Sequence, residues 1–147
     1  MARVLIVGCG CRGRELASAL AADGHAVRGT TRDPEAVSRI EAAGAEAVVC
    51  DPNRLATLTP HLAGVSVLCW LMGTVDDEAL HGRLLQTLLE TLVDTPVRGV
   101  VYEGGPGEPI VRKAGETFHM PVAVIAAGPD GDRWVAAARD AVGAVLS

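Results

Sequence analysis

A chain of 147 residues, 49% of them hydrophobic, is the size of one domain and can bury one sizeable core. Its formal charge of -5 offers no basic footprint, and 3% aromatic residues are too few for base-stacking platforms, which argues against nucleic acid as a partner. The opening apolar run, Val4 to Val7, is too short for a membrane span or a signal-peptide core, so the expectation is a cytoplasmic protein, a single domain over residues 1–147, with no membrane association.

Short apolar runs alternate with helical patterns along the whole chain. Val4 to Val7 reads as a first strand and Arg12 to Ala22 as a helix with Leu16 and Leu20 on one face. Ala26 to Thr31 is the second strand. Pro34 to Ala43 is a helix that begins with Pro in its first turn and stops at Gly44. Ala45 to Cys50 is the third strand, and Asn53 to Leu62 holds only a short helical turn interrupted by Pro60. Val65 to Leu71 is the fourth strand. From Asp76 to Val93, Leu80, Leu84, Leu85, Leu88, Leu89 and Leu92 recur at three- and four-residue spacings, which predicts a helix with an apolar face that must pack on something, a homodimer partner included. Val97 to Tyr102, a helix to Phe118, Val122 to Ala127 and a helix from Asp130 to Leu146 complete the series; Trp134, Ala138, Val142 and Val145 share one face of the last helix.

The six strands are Val-rich and mostly continuous, the pattern of strands buried on both faces of a parallel sheet. Each parallel crossover needs a covering helix and takes the right-handed path. The expected fold is therefore α/β, a doubly wound parallel six-stranded sheet of order 3-2-1-4-5-6, the Rossmann fold, with its ligand beyond the strands' carboxyl ends where the strand order reverses.

The stretch VLIVGCGCRGREL lies at that place. Gly8, Gly10 and Gly13 form G-x-G-x-x-G between the first strand and the first helix: Gly8 for the tight turn, Gly10 for the approach of a pyrophosphate, Gly13 for close packing of helix on strand. The helix N-terminus then offers its amides and dipole to the phosphates. A nicotinamide dinucleotide is the expected cofactor. After the second strand, an enzyme selecting NAD carries an acid for the ribose 2'-hydroxyl; this chain reads VRGTTRDPE, with Thr30, Thr31 and Arg32 there. Hydroxyls and a guanidinium suit a 2'-phosphate, so NADP is favoured over NAD, with Arg12 expected to close on the same phosphate; Asp33 is the residue that would reverse the preference.

Four cysteines are scattered, Cys9 and Cys11 in the glycine loop and Cys50 and Cys69 in other strands. With no C-x-x-C or H-x-x-x-H to complete a ligand set, no metal is expected, and Cys11, beside the helix N-terminus, is the thiol suited to redox sensitivity. Lys113 is the only lysine.

Taken in order, GCGCRGREL, GHAVRGTTRDPE, GAEAVVCD, GVSVLCWLMG and RGVVYEGG resemble the atypical and extended short-chain dehydrogenase/reductases, including NmrA-like and epimerase-like members, from Val4 to about Gly105. The resemblance implies that Asp51 lies near the adenine and that Leu71, Met72 and Gly73 line the adenosine, alongside Gly8, Gly10, Cys11, Arg12, Gly13, Thr31 and Arg32 around the cofactor. The family's Ser or Thr at the end of the fifth strand is replaced here by Glu103, Gly104 and Gly105, and its Tyr-x-x-x-Lys is absent: Tyr102 is the only tyrosine and Lys113 lies eleven residues on. Tyr102, Glu103 and His119 are the remaining candidates for catalysis near the nicotinamide end. The epimerase-like members append a substrate lobe, which this chain is not expected to have. The expected function is thus a cofactor-binding or redox-sensing module; the alternative is an NADP-dependent oxidoreductase completed by dimerisation.

Overall fold

The computed structural model describes residues 2–72, 82–127 and 131–147. Strand β1, Arg3–Val7, runs through the middle of the sheet, between β2 (Ala26–Thr31) and β4 (Val67–Trp70). Beyond β2 lies β3 (Glu46–Val49), and beyond β4 lie β5 (Gly99–Glu103) and β6 (Val122–Ile125). All pairings are parallel, with Val4 opposite Val27 on one side and Val67 on the other, and the order β3-β2-β1-β4-β5-β6 is the one expected.

Helices cover both faces because each central strand is apolar at odd and even positions alike. Val4 and Ile6 point to one layer, where they meet Leu16, Ala17 and Leu20 of α1 (Cys11–Ala22), Ile40 of α2 (Val37–Ala42), and Trp134, Ala138, Val142 and Val145 of α6 (Gly131–Leu146). Leu5 and Val7 point to the other, onto Leu58 of α3 (Leu55–Leu58), the leucines of α4 (Arg83–Leu92), and Val111 and Ala114 of α5 (Glu108–Thr117). Pro34 and Pro60 each sit in the first turn of a 3-10 segment, Pro34–Ala36 before α2 and Thr59–Leu62 after α3. Proline is tolerated there because it lacks only an amide that a first turn leaves unbonded.

Two expectations change. The leucine face of α4 was available, on sequence, for a dimer; instead Leu85, Leu88, Leu89 and Leu92 are buried in the chain's own core and Leu84 packs against it. That apolar stripe is consumed by the sheet. The start of that pattern, with Leu80, and the first residue of the last helix pattern, Asp130, lie outside the described residues. His119 is the second change. It follows α5 with φ of 53°, a left-handed turn that lets Met120 N–H reach Gly115 O at 3.0 Å. Because it precedes β6, it stands at the amino end of the parallel sheet, grouped with Arg98 and Phe118, across the sheet from the glycine loop. His119 is not among the described residues that line the cleft described next.

Candidate functional site: a cleft over the carboxyl ends of β1, β2 and β4

A cleft of about 480 Å³ opens where the strand order reverses, lined among others by Gly8 to Arg14, Thr31, Arg32, Leu71 and Met72. The three glycines meet different demands. Gly8 has φ of +89°, and a Cβ there would lie 2.7 Å from Leu71 O; both facts require glycine. At Gly13 a Cβ would come within 3.0 Å of Gly8 O and 3.4 Å of Ile6 Cγ2, so α1 could not pack as close to β1. At Gly10 nothing among the described residues lies within 4 Å of that position. The protein's own packing does not ask for glycine there; room for a ligand at the backbone does.

The helix behind the loop is prepared for an anion. Gly10 caps α1 without any side-chain hydrogen bond, and the first turn carries no acid. The first-turn amides thus lack the oxygen that a Ser, Asp or Thr cap usually supplies. A phosphate can take that role, and the helix dipole favours it. The loop itself is fixed by β2: Cys9 N–H donates to Thr30 O at 3.1 Å, Gly8 N–H donates to Thr30 Oγ1 at 3.3 Å, and the loop closes through Gly10 N–H to Gly8 O at 2.9 Å. Thr30 is buried. Those links give Thr30 a structural task in the loop, beside the cleft that it also lines.

On the β2 side, Thr31 is half-buried while Arg32 and Arg39 are exposed and line the cleft. Arg39, from α2, was not singled out in the sequence, although it lies in the helix that directly follows Arg32. Asp33 also lines the cleft, with one carboxylate oxygen, Oδ1, accepting Glu35 N–H at 2.9 Å to cap the 3-10 turn. Asp51 is similarly occupied, accepting Asn53 N–H at 2.9 Å in a turn of its own, with its amide donating to Thr57 Oγ1. Its neighbours Cys50 and Pro52 line the cleft instead. Gly73 lies outside the described residues.

The thiols divide by burial. Cys9 packs its sulfur over Gly29, where a Cβ would be only 2.7 Å away, and burial pushes its pKa up to about 11. Cys69, within β4, is pushed up to about 12 by the same cause. Cys11 is the exposed one, its Sγ 3.9 Å from Glu15 Oε1. Among the described residues no group of three or more His, Cys, Asp or Glu side chains is placed to hold a metal, and no helix is long and apolar enough to cross a membrane.

At the end of β5 the polar groups are turned inward. Tyr102 is fully buried and its hydroxyl accepts Gly107 N–H at 2.9 Å, filling the N-terminus of α5; burial pushes the phenol's pKa up. Glu103 is also fully buried. Its Oε2 lies 2.7 Å from Arg12 Nη1 and accepts the Trp134 Nε1–H at 3.0 Å, and the Arg12 guanidinium carbon sits 5.0 Å from the centroid of the Trp134 ring. Lys113 is on the outer side of α5, in a groove with Gln86 and Leu89, and not beside Tyr102. The structure therefore brings together Gly8, Gly10, Cys11, Arg12, Gly13, Thr31, Arg32, Leu71 and Met72, and gives Tyr102 and Glu103 internal partners.

Sheet order, glycine loop and uncapped helix together define a Rossmann-type dinucleotide-binding domain. A family model described as NAD(P)H-binding matches residues 8–127, and the chain belongs to that family. The resemblance to atypical short-chain dehydrogenase/reductases holds at this level, and the domain binds NAD(P). No curated protein matches the sequence. Among solved structures, the triphenylmethane reductase of Citrobacter sp. superposes with a TM-score of 0.71 at 20% identity, over 89% of this chain and 50% of that one. The same reductase complexed with NADP(H) gives 0.67 at 21%, over 83% and 48%. UDP-N-acetylglucosamine 4-epimerase from Bacillus cereus gives 0.66 at 15%, over 84% and 53%. These likenesses are of fold, and the chain spans about half the length of the structures it matches.

Proposed function

We propose that the chain is a nicotinamide dinucleotide-binding module that takes NADP(H) in preference to NAD(H) and signals or delivers the cofactor's state rather than turning over a substrate by itself. The carrying observation is the charge at the end of β2: Arg32 and Arg39 stand exposed over the cleft, two cations against Asp33, the one acid among its described lining residues, which gives one carboxylate oxygen to a cap. Two guanidiniums and the Thr31 hydroxyl suit a 2'-phosphate, and a carboxylate without a cap to fill would suit a ribose hydroxyl. The uncapped start of α1 would hold the pyrophosphate, Gly10 would admit it to the backbone, and Leu71 and Met72 would give the adenosine an apolar wall. The Citrobacter reductase, solved with NADP(H), shares this fold.

When bound, the nicotinamide ring supplies hydride exchange; the chain supplies binding, orientation and the amides of the loop. The non-catalytic reading is supported by the partners of the two acid–base candidates at the nicotinamide end. A proton donor must lie within hydrogen-bond reach of the reacting atom, whereas the Tyr102 hydroxyl and Glu103 Oε2 are both engaged inside the protein. The four free thiols fit a reducing, cytoplasmic setting.

Titration calorimetry with NADP+, NADPH, NAD+ and NADH tests the reading. The phosphorylated pair should bind more tightly, and Arg32→Ala should weaken it by about 1.5 to 3 kcal/mol, the worth of a hydrogen bond to a charged group, with NAD barely affected. Equal affinity of the wild-type chain for the two pairs would refute the preference.

A further inference from the structure

Glu103 is a fully buried carboxylate behind Arg12 and Trp134, which line the cleft, and anion binding by itself gives it no task. A buried charge persists where it is paired and hydrogen-bonded. Here one oxygen draws together three separated segments: Arg12 from the first turn of α1, Trp134 from α6, and β5 itself. The ring of Trp134 beneath the guanidinium restricts it further.

The direction of that restraint matters. In the sheet, β2 lies on one side of β1, with β4 and then β5 on the other. Arg32 follows β2, whereas Arg12 is drawn toward the end of β5. The expectation that Arg12 closes on the same phosphate as Arg32 thus meets a restraint pulling it the opposite way. The Arg12 side chain is nevertheless 22% exposed and lines the cleft beside Gly10, so one guanidinium touches both the buried carboxylate and the anion site.

We propose that Glu103 and Trp134 are positioning residues that hold Arg12 over the first turn of α1 as a ligand for the dinucleotide's pyrophosphate, leaving the 2'-phosphate to the β2 side. This rests on the dinucleotide-binding reading above. Fixing the guanidinium before the ligand arrives removes the entropy of ordering a long side chain from the cost of binding. The carboxylate acts as an acceptor that orients the guanidinium fork, and its charge is a secondary matter. Positioning therefore predicts that an uncharged acceptor preserves binding and that a side chain without an acceptor does not. If Glu103 served only to neutralise Arg12, either replacement would strengthen binding of an anion.

Four proteins decide it: wild type, Glu103→Gln, Glu103→Met, and the double variant Arg12→Met/Glu103→Met, in which no charge is left buried alone. Circular dichroism checks the fold, and calorimetry gives Kd for NADP+, NAD+ and 2'-AMP, the last lacking a pyrophosphate. Glu103→Met should weaken both dinucleotides about tenfold, as for loss of one charge-assisted hydrogen bond, without changing their ratio or the affinity for 2'-AMP. Glu103→Gln should recover most of that loss. The double variant should bind both dinucleotides at least as weakly as Glu103→Met and 2'-AMP as wild type does; if Glu103→Met does not fold, this variant carries the test. Undiminished or tighter dinucleotide binding by Glu103→Met, or by the double variant, overturns the inference, as does a loss confined to NADP+. Failure of wild type to bind either dinucleotide would instead remove the binding reading, and the inference with it.

Discussion

At the end of β2 the charged side chains of the cleft face water: Arg32, Asp33 and Arg39 are exposed, and Asp33 and Thr31 bond to nearby backbone. At the end of β5, four strands from β3 across the same sheet edge, Tyr102 and Glu103 are fully buried and bonded to partners from other segments. The first end can exchange its hydration for a ligand's charge at little structural cost. The second has already exchanged hydration for protein contacts, so changing it disturbs the fold. Charged residues beside a cleft thus have different meanings according to whether their partners are solvent or the protein.

Three substitutions press on that contrast. The largest effect belongs to Arg12→Ala, which leaves the Glu103 carboxylate buried without its ion-pair partner. Urea denaturation should show a loss of about 3 to 5 kcal/mol. A loss below about 1 kcal/mol would mean that the β5 end is as solvated as the β2 end. Next is Tyr102→Phe, which removes the acceptor of a buried amide at Gly107; the expected cost is about 1 to 3 kcal/mol in the same measurement, with NADP+ affinity unchanged by calorimetry. Changed affinity with unchanged stability would place the phenol on the ligand instead. The smallest is Asp33→Asn. An amide oxygen can still accept Glu35 N–H, so stability should stay within about 0.5 kcal/mol. Removing a negative charge beside Arg32 should tighten NADP+ binding modestly and leave NAD+ alone, and a tighter grip on NAD+ would show that Asp33 faces the ribose after all.

The fold was legible because parallel strands covered on both faces must be apolar throughout, so Val4 to Val7 and Val97 to Tyr102 announced themselves, and the helices between them set the topology. Boundaries shifted by a residue or two, as at Glu103, which continues β5 because it pairs with Ile125 of β6. In the site, Gly8 and Gly13 could be read because backbone geometry alone demands them. Arg32 was legible from its offset past the loop.

What escaped was contact between distant segments. Trp134 read as one more core residue on a helix face, and Glu103 as a replacement for a catalytic Ser or Thr; nothing in local spacing couples them. A signal existed in chemistry rather than pattern. A buried indole requires an acceptor for its N–H, and a buried carboxylate requires a cation, so a Trp on an apolar face and a Glu ending an apolar strand were two unmet demands. Arg39 and the turn that occupies Asp51 depend on how α2 and the loop after β3 fold back, which short-range pattern does not fix.

The buried carboxylate of β5 also bears on which substitutions the chain tolerates. Exchange of Arg12 alone takes the ion-pair partner from a buried carboxylate, and exchange of Glu103 alone takes the acceptor from Arg12 and from the Trp134 N–H, so any joint exchange passes through one of these. Intermediate steps are uphill from either direction. Substitution at position 12 is therefore coupled to position 103 and to Trp134, and the last variable position of the glycine loop, which looks permissive in the motif, is tied to a strand end far along the chain.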